Sequence, residues 1–278
     1  MANIKEKSIA ELLNFSIINL DKPSGPTSFT VSNFVMKSLN LKKTSHFGTL
    51  DPNTSGVLPV ALSRACRLNE YFMHHDKEYV GIMRLHKEIE LEKLKKEMKA
   101  FVGKITQLPP LRSSVKRAPR EREVKKFEIL EAEGKDVLFM AEVQAGTYIR
   151  TLIHNLGEKI GGAHMLELRR TRASIFNEKD SINLYQLDSA IQEYKKGNLS
   201  SLIKFLIPAE EAIKKVLPLI QLKSDNLKPF LTGKPLMKSD VELPKEEIFS
   251  LFHQEQFIGV YKKSIEGDIV ARPEFIYN

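Results

Sequence analysis

Residues 46–59 read His46-Phe47-Gly48-Thr49-Leu50-Asp51-Pro52-Asn53-Thr54-Ser55-Gly56-Val57-Leu58-Pro59. The stretch is dense in turn formers: Gly48, Asp51-Pro52, Asn53, Ser55 and Gly56 mark a loop. Val57 to Leu62 follows as a short apolar run and reads as a buried strand. One carboxylate, Asp51, is therefore expected in a tight loop just ahead of core structure. A catalytic carboxylate needs that placement, with a fixed backbone and a rigid element behind it. A second reading is open at this point. Asp followed by Pro is also a good helix start, with Asp51 as N-cap and Pro52 at the first helical position. Gly56 and the β-type run follow so closely that such a helix would be very short.

Working back toward the N-terminus, Phe15 to Leu20 reads as a strand and Asp21 to Pro26 as a turn with two prolines and a glycine. Thr27 or Ser28 caps a helix through about Asn40, with Val31, Phe34, Val35 and Leu39 on one face. Residues 1–13 form a polar tail with a helical turn or two.

Working forward, a helix is expected over Ser63–Asp76 and a strand over Lys77–Leu85. A charged, solvated helix is expected over His86–Phe101. Leu108–Arg122 reads as a loop carrying Arg112, Lys116, Arg117, Arg120 and Arg122. That loop is either simply solvated or in contact with phosphates. Lys126–Glu131 and Val137–Gln144 form a hairpin, and a helix runs on from Ile149-Arg150 to Ile160, stopped by Gly161-Gly162. Ala163–Arg172 reads as a strand with an arginine cluster, Arg169, Arg170 and Arg172, and Leu184–Tyr194 as a helix. Past a boundary near Pro208–Pro218, short β-like pieces recur between turn signals, as expected of a small β domain.

Composition bounds these readings. The chain has 278 residues, 42% of them hydrophobic, enough for one large domain and a small one. No apolar run is long enough to span a bilayer, and the first residues lack a signal-peptide core. The single cysteine, Cys66, excludes an internal disulfide or a Cys-based zinc site, and it reads as a small buried thiol on a helix. His74, His75 and His86 lack carboxylates or thiols at ligand spacing, so no metal centre is expected. A reducing, cytoplasmic setting fits. The net charge of +8 favours polyanionic partners, RNA or DNA first among them. Tryptophan is absent, so base stacking would fall to Tyr, Phe, His or Arg.

Four motifs now stand in order: NLDKPSGPTS, HFGTLDPNTSGVLPVAL, KEYVGIMRLH and GTYIRTLIHNLGEKIGGAHMLELRRTR. Over residues 15–190 their order resembles the TruB branch of pseudouridine synthases, which includes dyskerin and its archaeal counterparts. The segment from Leu85 to Val124 follows the archaeal and dyskerin pattern. The resemblance implies an α+β pseudouridine synthase fold: a mixed, largely antiparallel sheet flanked by helices, plus a small C-terminal PUA-like β domain. It divides the chain into a tail over 1–13, a catalytic domain over 14–207 and a PUA-like RNA-binding domain over 208–278. It further implies isomerisation of a uridine in RNA, with no cofactor. The expected targets are the T-loop uridine of tRNA (position fifty-five) and sites directed by H/ACA guide RNA. Small H/ACA-type accessory proteins are the expected protein partners, and no membrane is involved.

By the same resemblance Asp51 is the catalytic aspartate, Arg150 the arginine paired with it, and Tyr79 the tyrosine beside the target base. His46 matches the histidine that helps hold the everted nucleotide, and Tyr148 and Leu168 match residues lining the base pocket. Lys22 and Pro23 match the KP turn that supports the active-site loop, and Lys22 is grouped with the substrate-binding residues. These residue types suit the chemistry. Breaking a glycosidic bond to uracil needs an ionised carboxylate as nucleophile or base. Tyr79 can stack on the base and join proton transfer. A target within folded RNA must be flipped out of its stack. The competing reading is a non-catalytic RNA-binding scaffold, which has no use for Asp51, Arg150 and Tyr79 together.

Overall fold

A computed structural model of the chain describes residues 7–110 and 116–278. Arg112, counted above in the basic loop, lies outside the described residues.

The chain opens with α1 (Ile9–Asn14), β1 (Ser16–Lys22), α2 (Ser28–Ser38), β2 (Thr44–His46) and β3 (Thr54–Leu62). A 3-10 helix over Ser63–Leu68 leads into α3 (Asn69–Met73). Then come β4 (Lys77–Leu85), α4 (Leu91–Lys99), β5 (Gly103–Gln107), β6 (Arg120–Glu133), β7 (Asp136–Val143), α5 (Ile149–Ile160) and β8 (Ala163–Ala173). Short strands β9 (Phe176–Asn177) and β10 (Ile182–Asn183), α6 (Leu184–Lys195), α7 (Ser200–Ile203), β11 (Ile207–Pro208) and α8 (Ala209–Ile213) follow. The last part holds β12 (Leu219–Gln221), α9 (Lys228–Leu231), β13 (Leu236–Met237), β14 (Ile248–His253), β15 (Gln256–Glu266) and β16 (Ile269–Ile276).

The larger sheet has the order β10-β1-β3-β8-β4-β7-β6-β5. It is mixed and largely antiparallel; β1–β10 and β3–β8 are its parallel pairs on that path. The β3–β8 pairing is short, joining Thr54, Ser55 and Gly56 to Leu168, Arg169 and Arg170. This seam joins two half-sheets with separate cores. Ile18, Leu20, Leu58 and Val60 pack against α2 and α6 on one side. Met83, Phe127, Phe139 and Val143 pack against α4 and α5 on the other. Tyr79 packs against both cores.

Glycine is required at the seam. Gly56 has φ +106°, and a Cβ there would lie 2.2 Å from the Arg170 carbonyl oxygen. Any side chain would force β3 and β8 apart.

The second sheet, β12-β14-β15-β16-β13, carries its own core around Phe249, Leu251, Ile258 and Tyr261. A further core joins it to the first sheet. Phe15, the residue between α1 and β1, stacks on Phe257 at 5.6 Å and on Tyr277 at 4.0 Å. That burial of aromatic surface ties the two sheets together.

Several local expectations shift. Residues 51–53 form a turn, not a helix, because Gly56 and the pairing of β3 from Thr54 leave no room for one. The Ser63–Asp76 segment is a 3-10 helix followed by α3, which ends at Met73. Cys66 sits buried on that 3-10 helix, where burial pushes its thiol pKa up. The charged helix starts at Leu91, five residues later than expected, with Leu94 and Met98 turned into the core. Arg120 and Arg122 belong to β6 and not to a loop, since β6 pairs with β5 from Arg120 onward.

Candidate active site

The loop carrying Asp51 is clamped from both sides. Lys22 is fully buried, and its Nζ donates to the carbonyls of Pro23 (2.8 Å), Pro26 (2.8 Å) and Pro52 (3.0 Å). The Gly25 N–H donates to the same Pro52 carbonyl at 2.9 Å. On the other side of Asp51, Ser28 Oγ accepts from the Leu50 N–H (2.8 Å) and donates to the Leu50 carbonyl (3.0 Å). The Thr54 N–H closes the turn onto the Asp51 carbonyl at 3.0 Å. A short polar loop between two apolar cores has no ladder of its own, so these side chains satisfy its backbone groups. Burial pushes the Lys22 ammonium pKa down, with the Arg170 guanidinium adding to the shift. Lys22 is thus corrected from the substrate-binding group: its ammonium is occupied by three carbonyls inside the protein and cannot meet a substrate.

Asp51 itself points outward. Its Oδ2 accepts from Arg150 in an ion pair spanning 99 positions of sequence. The Asp51 side chain is 53% exposed and that of Arg150 62%. Arg150 sits in the first turn of α5, whose Ile149, Leu152, Ile153 and Leu156 face the core and turn the guanidinium to the surface. Tyr148 is the N-cap of this helix and supplies no side-chain cap. Buried Gln107 serves instead: its Oε1 accepts from the Tyr148 N–H (2.9 Å) and its Nε2 donates to the Tyr148 carbonyl (3.1 Å). The free N–H groups of a helix start need such a partner. Gln107 therefore holds the Tyr148–Arg150 turn at the end of β5, and no periodicity or motif in the sequence points to it.

Beneath the loop lies Arg170, 1% exposed. Its Nε donates to the Val57 carbonyl (2.8 Å) and an Nη to the Gly48 carbonyl (3.0 Å). It also hydrogen-bonds the Tyr79 hydroxyl. A guanidinium has donors alone, so the Tyr79 oxygen accepts and its own proton is left for another partner. Burial pushes the Arg170 pKa down, and the Tyr79 contact opposes that. The charge of Arg170 is felt nearby. The His46 pKa is pushed down first by burial and then by Arg170. Lys77, whose Nζ donates to the carbonyls of Met73 and His75, is pushed down to about 8 by the same two causes, with Asp76 opposing.

The arginine cluster of β8 is matched inside the protein. Arg170 is buried. Arg169 pairs with Asp21 (2.9 Å) and Glu178 (2.8 Å), and Arg172 with Glu142 (2.8 Å). Arg169 and Arg170 point to opposite faces of β8, and the register shift between Arg170 and Arg172, which pair with the adjacent Tyr79 and Glu78, turns Arg172 off the face of Arg170. The signal was present in the sequence as RRTR, but its reading needed the partners.

The remaining site residues fall around the same seam. His46, on β2, pairs with Val60 of β3 and has Nε2 3.2 Å from Thr49 Oγ1. Leu168 faces Thr54 across β8–β3 and Gly81 across β8–β4. A Cβ on Gly81 would lie 3.0 Å from Leu168 Cδ1 and 2.8 Å from Phe139, so glycine leaves room for both side chains. Tyr79 neighbours Arg170 across β4–β8. The fold thus brings Asp51 together with Arg150, and Tyr79 together with Arg170, at the junction of β3 and β8. Gln107 escaped the sequence reading; Ser28 appeared there as an alternative helix cap, a role the structure gives to Thr27, whose Oγ1 accepts from the Thr30 N–H.

Known proteins resemble this chain along most of its length. Residues 36–149 match the N-terminal domain of TruB family pseudouridylate synthases, and residues 150–214 the tRNA pseudouridylate synthase B C-terminal domain. A probable tRNA pseudouridine synthase B of Thermococcus onnurineus is 43% identical over 262 residues, covering 93% of this chain and 73% of that protein. Its namesake in Pyrococcus abyssi is 48% identical over 214 residues, covering 76% of this chain and 64% of that protein. Among solved structures, the Cbf5 chain of a Cbf5–Nop10–Gar1 complex superposes with a TM-score of 0.90 at 38% identity, covering 98% of this chain and 88% of that one. A chain of an H/ACA RNP bound to a substrate RNA containing 2'-deoxyuridine gives 0.88 at 34% identity, covering 99% and 89%. With that identity sustained over nearly the whole chain, and with the loop, the ion pair and the seam in place, this chain belongs to the TruB family of pseudouridylate synthases.

Proposed function

We propose that the chain isomerises a specific uridine of RNA to pseudouridine, with Asp51, Arg150 and Tyr79 as the catalytic residues. The ion pair of Asp51 with Arg150, held on a clamped loop yet open to solvent, is the observation that carries this reading. A carboxylate kept for structure alone would gain little there, since exposed ion pairs contribute about 0–1 kcal/mol. Arg150 sets the direction of the carboxylate and offsets its charge against incoming phosphates. Asp51 then serves as nucleophile or base while the uracil is detached at nitrogen, rotated and rejoined through carbon. Tyr79 presents a ring to the base and a hydroxyl proton that Arg170 cannot use. His46, Tyr148 and Leu168 surround the everted nucleotide in this reading, and the clamp formed by Lys22 and Ser28 keeps Asp51 within the narrow positional tolerance that catalysis requires.

For substrates we favour the T-loop uridine of tRNA, as the names of the curated relatives suggest. Guide-directed sites with small accessory proteins are the second class, suggested by the complexes in which the solved neighbours occur. Residues 208–278 are read as a PUA-like RNA-contacting unit, supported by the separate second sheet. A cytoplasmic setting accords with such substrates, and no helix among the described residues is long and apolar enough to cross a membrane. The test gives the lone protein an unmodified tRNA transcript labelled with tritium in uracil and measures its release. Release that is abolished by Asp51→Asn, with RNA binding kept, is expected. Tight RNA binding without release, with or without guide RNA and accessory proteins, would leave the scaffold reading in place.

A further inference from the structure

Phe29 is 71% exposed, although α2 turns Val31 and Val35 into the core. Its place is what matters. It follows Ser28, whose hydroxyl holds both backbone groups of Leu50, the residue before Asp51. The turn just before it, through Lys22 and Gly25, holds Pro52, the residue after Asp51. Phe29 is therefore the large apolar side chain that the Asp51 clamp presents to solvent.

The first turn of α2 is also stiff. Thr27 caps it, and the Thr27 and Thr30 hydroxyls lie 2.8 Å apart, one on each side of Phe29 in sequence. An exposed planar ring, one residue from the hydroxyl that holds the backbone next to Asp51, on a chain of net charge +8, has the features of a stacking site for single-stranded nucleic acid.

We propose that Phe29 is a base-stacking platform for the RNA strand that reaches Asp51, taking an unpaired base close to the target uridine. This rests on the pseudouridine synthase reading above. Such a residue tightens RNA binding and sets which loops are accepted, while leaving the chemical step to Asp51.

The chain has no tryptophan, so Phe29→Trp creates a sole indole reporter at the platform. Unmodified tRNA transcript is expected to quench its fluorescence. In the tritium-release assay, Phe29→Ala should raise KM about ten-fold with kcat within about two-fold, the loss of one stacked base. Phe29→Leu should behave like Phe29→Ala, and Phe29→Trp should retain the low KM, because the ring plane and not its apolar character is required. Unquenched indole fluorescence in the Phe29→Trp variant, or an unchanged KM for Phe29→Ala, overturns the proposal and leaves that face to a protein partner. An active wild type with an indifferent Phe29→Ala defeats the platform alone. A wild type that binds the transcript but releases no tritium, together with a quenched Phe29→Trp variant, defeats the isomerase reading and spares the platform.

Discussion

Arg150 and Arg170 meet the same loop in opposite ways. Arg150 lies 62% exposed and binds the Asp51 carboxylate. Arg170 is 1% exposed and binds the backbone of the loop at Gly48 and Val57. One guanidinium is matched to a charge, the other to carbonyl dipoles. The difference separates two tasks that a catalytic loop must combine. An exposed pair can exchange partners with a substrate at little cost to folding. A buried donor array cannot be removed without leaving carbonyls unsatisfied in the interior. Function and rigidity thus reside in different residues around one loop.

The comparison is most strongly tested by Arg150→Ala. Tritium release should fall at least about 100-fold, as when a preorganised donor is lost from an active site. The stability measured by urea unfolding should stay within about 0.5 kcal/mol of wild type, as for other surface changes. A large loss of stability would erase the distinction between the two arginines.

Next in size is Arg170→Met. It should cost about 3 kcal/mol in urea unfolding, because the Gly48 and Val57 carbonyls lose their donor. Stability near that of wild type would show that water or a neighbour can replace the guanidinium.

Lys77 sharpens the buried half of the picture through pH. Its pKa is pushed down to about 8 in the folded chain, from an ordinary value of 10.5. Between those values the unfolded chain holds a proton that the folded chain has released. Unfolding free energy should therefore rise with pH across that window, by up to about 3 kcal/mol. The rise should be absent in Lys77→Met, and chemical denaturation across the window from the folded to the unfolded pKa measures it. A flat wild-type profile would show that the ammonium is solvated.

The smallest effect concerns RNA and salt. Lys116→Ala and Arg117→Ala, both at exposed positions, should each lower the slope of log affinity against log salt by about 1. Arg169→Gln and Arg172→Gln should leave that slope unchanged, since their charges are matched internally. A lowered slope for Arg169→Gln would place it among the RNA-facing residues.

Turn signals and apolar runs located the loop around Asp51 and the strand behind it, and motif order named the distant Arg150. The reason for the first two is local: turn formers and apolar runs act within a few residues, so HFGTLDPNTSG followed by VLPVAL can adopt little else. The helix stop at Gly161 was legible for the same reason, and its φ of +88° matches a left-handed cap. The sequence also carried RRTR, KP and TS, but their partners lie up to 148 positions away.

Tertiary structure decided what those charges and hydroxyls do. Whether an arginine faces phosphate, carboxylate or carbonyl depends on which strand lies beside it, and pairing of β8 with β3 and β4 placed Arg170 inside and Arg169 at the rim. Burial then changed the cost of each charge, which no window of neighbouring residues contains. Sequence set the local turns; the seam between two half-sheets set which side chains hold the loop and which remain open to a substrate.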